Sequence, residues 1–372
     1  MQNFLINKVF ATLIALLSIM ACSTKVRDIE TIMCSFTSQT PLYQCEWIES
    51  ITFTPLDTAC LIGAESELRL VGDNLFIKHG PYQEIRIDRF NTNGVFLNRI
   101  GRLGRGPGEY VNLSDWFIYE GNQIGLNAYG PSPIMLYDFD GNFVREINRP
   151  LHAFMVHPDN SHFWALMPPI ADSARLTCFS EDGMLKSMYK SESTYSASSD
   201  LWRTFFKTNK KLYIGMPYEN TILLVQKDTV HPVFFIDAGA YAIPKEFYAN
   251  PFESFIPMME KGYAAVYNFL ESKDYLVLQM VTRQNEFEGM LFGIKNLREN
   301  KWFWSRLETW PSAQNRSDYQ AAEITEDNKL FILIPPDEIK EHLPFMNNVI
   351  NRQILESLTD DANPVLVEIG LR

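Results

Sequence analysis

A hairpin written three times constrains this chain more than any other feature. Asn93-Gly94, Asp140-Gly141 and Asp182-Gly183 each follow a strand-like run (Ile85–Phe90, Ile134–Phe139, Arg175–Phe179) and precede a short apolar return (Val95–Leu97, Phe143-Val144, Met184-Leu185). Such pairs between two runs of strand-forming residues are a strong short-range hairpin signal, and Asn93-Gly94 predicts a type I′ turn. A further strand stands ahead of each hairpin, at Asn74–Ile77, Asn122–Leu126 and Phe163–Leu166. The turn glycines follow one another at intervals of 47 and 42 residues, and Phe90 and Phe179 stand four positions before theirs.

Later copies are blurred but countable. Leu212–Met216 goes with Ile222–Val225, Tyr275–Leu278 with Met290–Ile294, and Leu330–Ile334 comes last before a C-terminal Val365–Ile369. The leading strands start near 75, 124, 163, 212, 275 and 330, which is six units. Units of this length with several short strands each predict an all-β, six-bladed β-propeller, in which each sheet hides its apolar face against the next. A 372-residue chain with 46% hydrophobic and 21% charged residues can fill such a core. Two stretches break the pattern and are expected as short helical insertions. They are Pro244–Gly262 and Asp337–Leu358, the second kinked at Pro344. An open ring would leave strand edges exposed, so Thr52–Leu56 and the C-terminal strand are expected to share the closing blade.

The N-terminus carries an address. Lys8 is followed by an apolar run from Val9 to Met20, too short to span a bilayer and suited to the core of a secretory signal. It ends in Ile19-Met20-Ala21-Cys22, which looks like a bacterial lipobox with Cys22 as the lipid-bearing residue. Several acyl chains, palmitate among them, give stable anchoring where one is marginal. The expected division is therefore a signal peptide over 1–21, a lipidated tether over 22–48 and the propeller over 49–372. The expected location is the outer membrane, facing the periplasm or the cell surface. Four other cysteines (Cys34, Cys45, Cys60, Cys178) would meet an oxidising compartment. A Cys34–Cys45 bridge and free buried thiols are both open.

Between the first two hairpin units lies Gly101-Arg102-Leu103-Gly104-Arg105-Gly106-Pro107-Gly108-Glu109-Tyr110, which can be neither helix nor regular strand. Together with Pro55-Leu56, Leu113-Ser114-Asp115 and Asn363–Val367, it resembles the G-R-x-G-R-G-P-G-E-[FY] signature of bacterial six-bladed β-propeller lipoproteins, related in shape to NHL and TolB-type propellers. The resemblance implies the fold and lipoprotein status, and carries over no catalytic residues.

Arg102, Arg105 and Glu109 are the candidate ligand-binding residues, since Arg forks and bare amides can grip a carboxylate or other anion. The competing reading has the same residues bracing the turn. Asp138–Asn142 resembles the start of a calcium loop but sits on the repeated hairpin. His152, His157 and His162, five apart, match neither one helix face nor one strand face. No metal-ligand set, cofactor motif or nucleophile elbow is present in the sequence, so neither cofactor nor metal is expected. A net charge of −12 argues against nucleic acid. The expected function is a non-catalytic binding or scaffolding module, with a glycan or another envelope protein as candidate partner. The alternative is a hydrolase or lyase acting on a glycan or small ester at the channel mouth.

Overall fold

Strands that alternate apolar and polar residues are two-faced, and here six sheets hide those faces against one another. The computed structural model describes residues 29–372 except 39, 64–65, 82–83, 129–131, 150–152, 161, 168–175, 190–203, 209–210, 217–218, 249–260, 285–286, 307–320 and 360–361. β1 (Glu30–Met33) and β2 (Ile48–Pro55) come first and join sheets completed much later. Blade one is β3 (Glu67–Val71), β4 (Asn74–His79), β5 (Arg86–Asn91) and β6 (Phe96–Ile100); blade two is β7 (Leu113–Tyr119), β8 (Gln123–Ala128), β9 (Ile134–Asp138) and β10 (Phe143–Ile147). Blade three is β11 (Met155–Asp159), β12 (His162–Leu166), β13 (Leu176–Ser180) and β14 (Leu185–Tyr189); blade four is β15 (Phe205–Thr208), β16 (Lys211–Gly215), β17 (Thr221–Gln226) and β18 (Thr229–Asp237). Blade five is β19 (Ala264–Glu271), β20 (Tyr275–Gln284), β21 (Phe287–Asn296) and β22 (Lys301–Arg306). Blade six is β23 (Ala321–Ile324), β24 (Lys329–Ile334) and β25 (Val365–Leu371), completed by β2.

The chain is thus a six-bladed β-propeller, and the expected closure is found. β2 pairs antiparallel with β25, Ile51 opposite Ile369 and Phe53 opposite Val367. Each seam holds its own apolar cluster. Phe76, Ile87 and Ile100 meet Trp116 and Ile124 between blades one and two, and Leu75, Ile77 and Phe90 meet Phe331, Leu333 and Leu366 between six and one. A fully buried side chain of this kind contributes about 1.5–3 kcal/mol. The six recurring runs that mark the repeat are the second strand of every blade, β4, β8, β12, β16, β20 and β24. The first strands of adjacent blades touch (β3 with β23, β7 with β11, β15 with β19, β19 with β23) and so surround the axis.

The three hairpins occupy equivalent places, between the third and fourth strands of blades one, two and three. In each, the glycine N–H donates to the residue three back (Gly94 to Asn91, Gly141 to Asp138, Gly183 to Ser180), with φ of +83°, +86° and +84°. Asn93 is not among the residues with positive φ, so the expected type I′ turn is corrected. The connection is a type I turn closed by a left-handed glycine, with a register shift beside it. The Asn91 carboxamide explains the choice, because its Oδ1 accepts from Asn93 N and Val95 N.

The segment expected as a tether over 22–48 is ordered against the ring from Glu30 onward. β1 adds to the outer edge of blade four, parallel to β18. The strap then crosses blade five. Cys34 Sγ lies 3.3 Å from Met280 Sδ, Ser38 Oγ donates to Trp304 O, and Lys301 pairs with Glu46. It reaches blade six at β2, where Arg372 N donates to Trp47 O. Cys34, Cys45, Cys60 and Cys178 are all free thiols, so the Cys34–Cys45 bridge does not form.

The second insertion begins as expected with α1 (Pro336–His342), acidic at its start, and breaks into 3-10 turns at Leu343–Phe345 and Arg352–Ser357, Pro344 lying in the first. Of the first insertion, Lys245–Tyr248 is a 3-10 turn and 249–260 lie outside the described residues. Among the described residues no helix is long and apolar enough to cross a membrane.

Candidate functional site

Three places concentrate polar chemistry. The first is the long turn that leads from β6 to β7. Tyr110 N donates to Arg102 O and Gly104 N to Tyr110 O, so the loop is pinched at its base. Glu109 Oε2 accepts from Gly106 N at 2.8 Å, and a Cβ on Gly104 would stand 2.0 Å from the same oxygen. The carboxylate therefore fills the hollow that the glycines leave. Blade two holds the loop from below, Tyr137 Oη donating to Gly108 O at 2.9 Å. The Arg102 and Arg105 side chains are exposed and carry no partner among the described residues. The turn thus divides the three sequence-predicted residues, Glu109 being engaged inside and the two guanidinium groups facing out. Glu109→Ala is expected to cost about 1–2 kcal/mol, as a backbone amide loses a charged acceptor. Arg102→Ala and Arg105→Ala should stay within about 0.5 kcal/mol. Thermal melts of the three variants check this ranking. Cys22 and His152 lie outside the described residues, as do Trp202 and Trp310.

The second place is the set of axial strands. β3 carries Glu67 and Arg69, β7 Asp115, β11 His157 and Asp159, β15 Lys207, and β23 Glu323. Arg69 Nη2 pairs with Glu67 at 2.8 Å and Lys78 Nζ joins it at 3.2 Å, while Lys207 reaches Asp159 at 3.4 Å across blades three and four. Arg69 also lies over the Trp116 ring at 4.9 Å, and its Nε is buried without a hydrogen-bond partner among the described residues. Asp115 accepts from Val156 N and Trp116 N, both at 2.8 Å. Although the residue keeps some exposed surface, its carboxyl group is walled in, and burial raises its pKa to about 6. Arg69 pulls the other way and Glu67 adds to the rise.

For Asp115 the folded state holds its proton more tightly than the unfolded chain. The ionised carboxylate therefore costs stability that is absent below about pH 4 and fully felt above about pH 6. Asp115→Asn should flatten the fall in stability across that window by about 1–2 kcal/mol. Urea midpoints taken at pH 4 and pH 7 test it, and an unchanged slope would contradict the assignment. His157 and His162 do not converge. His157 is buried with Nδ1 2.9 Å from Pro158 O, and His162 begins β12. Asp138–Asn142 is a turn rather than a cation loop, since Asp138 accepts from Asn142 N and Asp140 pairs with Arg89.

The third place was not foreseen from the sequence. Where blade six meets blade one, Asp88 (β5), His79 (β4), Arg99 (β6) and Cys60 come together. Asp88 Oδ2 is 2.7 Å from His79 Nε2 and accepts from Cys60 Sγ at 2.8 Å, while Arg99 Nε donates to Oδ1 at 2.8 Å. Gly63 N donates to His79 Nδ1 at 3.4 Å, which leaves Nε2 as the ring nitrogen that donates to Asp88. Burial works against the Asp88 charge, yet bonds from His79, Arg99 and Cys60 outweigh it and hold the pKa at about 2. Burial, then Asp88, push the Cys60 thiol up to about 12, so it is a donor and no nucleophile at neutral pH.

Cys60, His79 and Asp88 offer sulfur, nitrogen and oxygen within 4.8 Å of one another, a spacing that could hold a metal ion. The protons in place argue for another role. A cation would have to displace the thiol proton, turn His79 Nδ1 away from Gly63 and sit beside the Arg99 charge. The cluster works as a hydrogen-bonded knot at the seam. Next to it Asn363 Oδ1 accepts from Ile62 N, and its Nδ2 donates to the carbonyls of Asp57 and Cys60. The knot escaped sequence reading because its members are scattered from 60 to 99; Asn363-Pro364 was its only visible trace.

A family profile described as "Domain of unknown function (DUF4934)" matches residues 28–369. Among solved structures, a Bacteroides fragilis protein described as exported superposes with a TM-score of 0.71 at 15% identity, covering 92% of this chain and 99% of that one. A member of the DUF4221 family from Bacteroides vulgatus gives 0.52 at 11% identity, covering 87% and 97%. At these identities the likeness speaks for the fold alone. No curated protein matches the sequence.

Proposed function

We propose that this chain, which belongs to the DUF4934 family, is an exported, lipid-anchored binding or scaffolding module of the bacterial outer membrane, a ring held at the membrane by acyl chains on Cys22. The observation that supports the binding role best is the make-up of the axial strands. Apolar residues fill the seams between blades, whereas the innermost strands carry Glu67, Arg69, Asp115, Asp159, Lys207 and Glu323. Acidic and basic groups together suit a polar ligand with both donors and acceptors, such as a glycan or a peptide segment of another envelope protein. The formal charge of −12 does not suit nucleic acid. Arg102 and Arg105 are a second, outward-facing contact for an anionic group, on a loop that Glu109 keeps in shape. Export and anchoring rest on the Val9–Cys22 sequence, and a similarly folded Bacteroides protein described as exported agrees with that compartment.

A second reading, a hydrolase or lyase acting on a glycan or small ester, draws on Asp115. A carboxyl group with a pKa near 6 beside Arg69 titrates in the range of a general acid, and would serve as one where a bound ligand displaces the backbone donors that enclose it. Thermal-shift screening of the soluble chain from Ser23, with glycans and divalent metals, separates the two. A glycan that stabilises the chain and is recovered intact supports binding. Turnover abolished by Asp115→Asn replaces that reading with the enzymatic one. Mass spectrometry of the mature amino terminus tests the anchor, and a Cys22→Ser chain that still partitions with membranes would overturn it.

A further inference from the structure

The strap sets where the chain enters the ring. β1 lies parallel on β18 with Thr31 opposite Phe235 and Ile32 opposite Ile236. Side chains alternate along a strand, so this pair of strands has two faces. On one, Ile32 and Ile236 are buried in the cluster between blades four and five, and Glu30 is spoken for by Lys295 at 2.6 Å. On the other, Ile29, Met33 and Phe235 are 45%, 71% and 43% exposed. Three large apolar side chains therefore stand together on the outward face of an outermost sheet edge. They stand where the chain enters the ring.

From Cys22 to Ile29 the chain can reach at most roughly 25 Å, at about 3.3–3.6 Å per residue. An anchored ring cannot carry this face further from the lipid than that. Lys25 and Arg27 lie in the same short connection with Asp28, leaving it one net positive charge, which favours an anionic lipid surface.

We propose that the outer edge of blade four is a lipid-contact face, on which Ile29, Met33 and Phe235 seat at the boundary between headgroups and acyl chains. The inference rests on the reading that Cys22 carries lipid, and it adds the orientation of the ring. A short tether keeps the local concentration of bilayer high, so a patch too small to bind alone still settles there. Blade one provides the control. Val95 and Leu97 near its outer strand β6 are exposed to a similar degree, 47% and 43%, but no tether starts beside them.

The test uses the full acylated chain in vesicles of phosphatidylethanolamine and phosphatidylglycerol. A small fluorescent amino acid is placed at position 33 in one sample and at position 95 in another, with brominated lipids as quencher. Quenching at position 33 is expected to exceed that at position 95 at least twofold. The Ile29→Glu/Phe235→Glu variant should remove the excess while the chain stays in the membrane fraction. Equal quenching at the two positions on an acylated chain overturns this inference alone. A mature chain with no acyl mass at Cys22 overturns the anchoring reading, and this inference with it.

Discussion

Asp88→Ala is expected to lower the unfolding free energy by about 3–5 kcal/mol, the range for removing one partner of a buried charged network. The carboxylate is fully buried and serves three donors at once, from His79, Arg99 and Cys60. Arg99 is partly exposed and can turn toward water, whereas His79 and Cys60 have no such escape. Asp88→Asn should cost about half as much, because the carboxamide still accepts one bond while it adds an unwanted donor. A pH signature separates this from simple loss of volume. The Asp88 pKa is held at about 2, below its unfolded value near 4, so its contribution is complete above about pH 4 and is lost as pH falls through about 2. The gap between wild type and Asp88→Ala in urea should therefore narrow over that interval. A gap below about 1 kcal/mol at pH 7 would show that the knot is incidental.

Gly94→Ala is expected to be nearly as damaging, about 3–4 kcal/mol, for a different reason. Its φ of +83° costs an L-residue roughly 1–2 kcal/mol, and a Cβ would stand 2.1 Å from the carbonyl oxygen of Pro55, which is backbone and cannot swing aside. Gly141 meets the Arg99 carbonyl at 2.3 Å in the same way. The hairpin of each of these blades therefore rests on the end of the preceding blade's outermost strand, and Pro55 ends the one that closes the ring. Gly72→Ala and Gly121→Ala are the controls, with positive φ but nothing within 4 Å of the added carbon, and should cost about 1 kcal/mol. Equal midpoints in urea for Gly94→Ala and Gly72→Ala would show that the docking contributes nothing.

The sequence made the repeat legible because second and third strands are buried on both faces and read as apolar runs, as in Leu75–Ile77 and Leu330–Ile334. The axial strands were harder to see for a physical reason. Glu67, Arg69, Asp115, His157, Asp159 and Lys207 interrupt them, and a short run holding two charges reads as a loop. The strap was hidden too. Four residues of β1 have no periodicity of their own and gain their pairing from β18, which lies some two hundred positions downstream in sequence. The knot around Asp88 was beyond reach, since strand pairing brings His79 and Arg99 to one carboxylate and a loop folds Cys60 onto it. The long turn was visible as a shape, but its glycines read as room for an outside anion, when the nearest carboxylate to fill that room was Glu109.

One consequence follows from the way β2 waits for β25. Asn363 joins Asp57 across 306 positions, so the sixth sheet cannot be finished until nearly the whole polypeptide has been made. During synthesis the early blades emerge with a raw edge at each end, and the contact of longest reach comes last. A cell that makes this protein has to shield that half-made circle until its tail arrives.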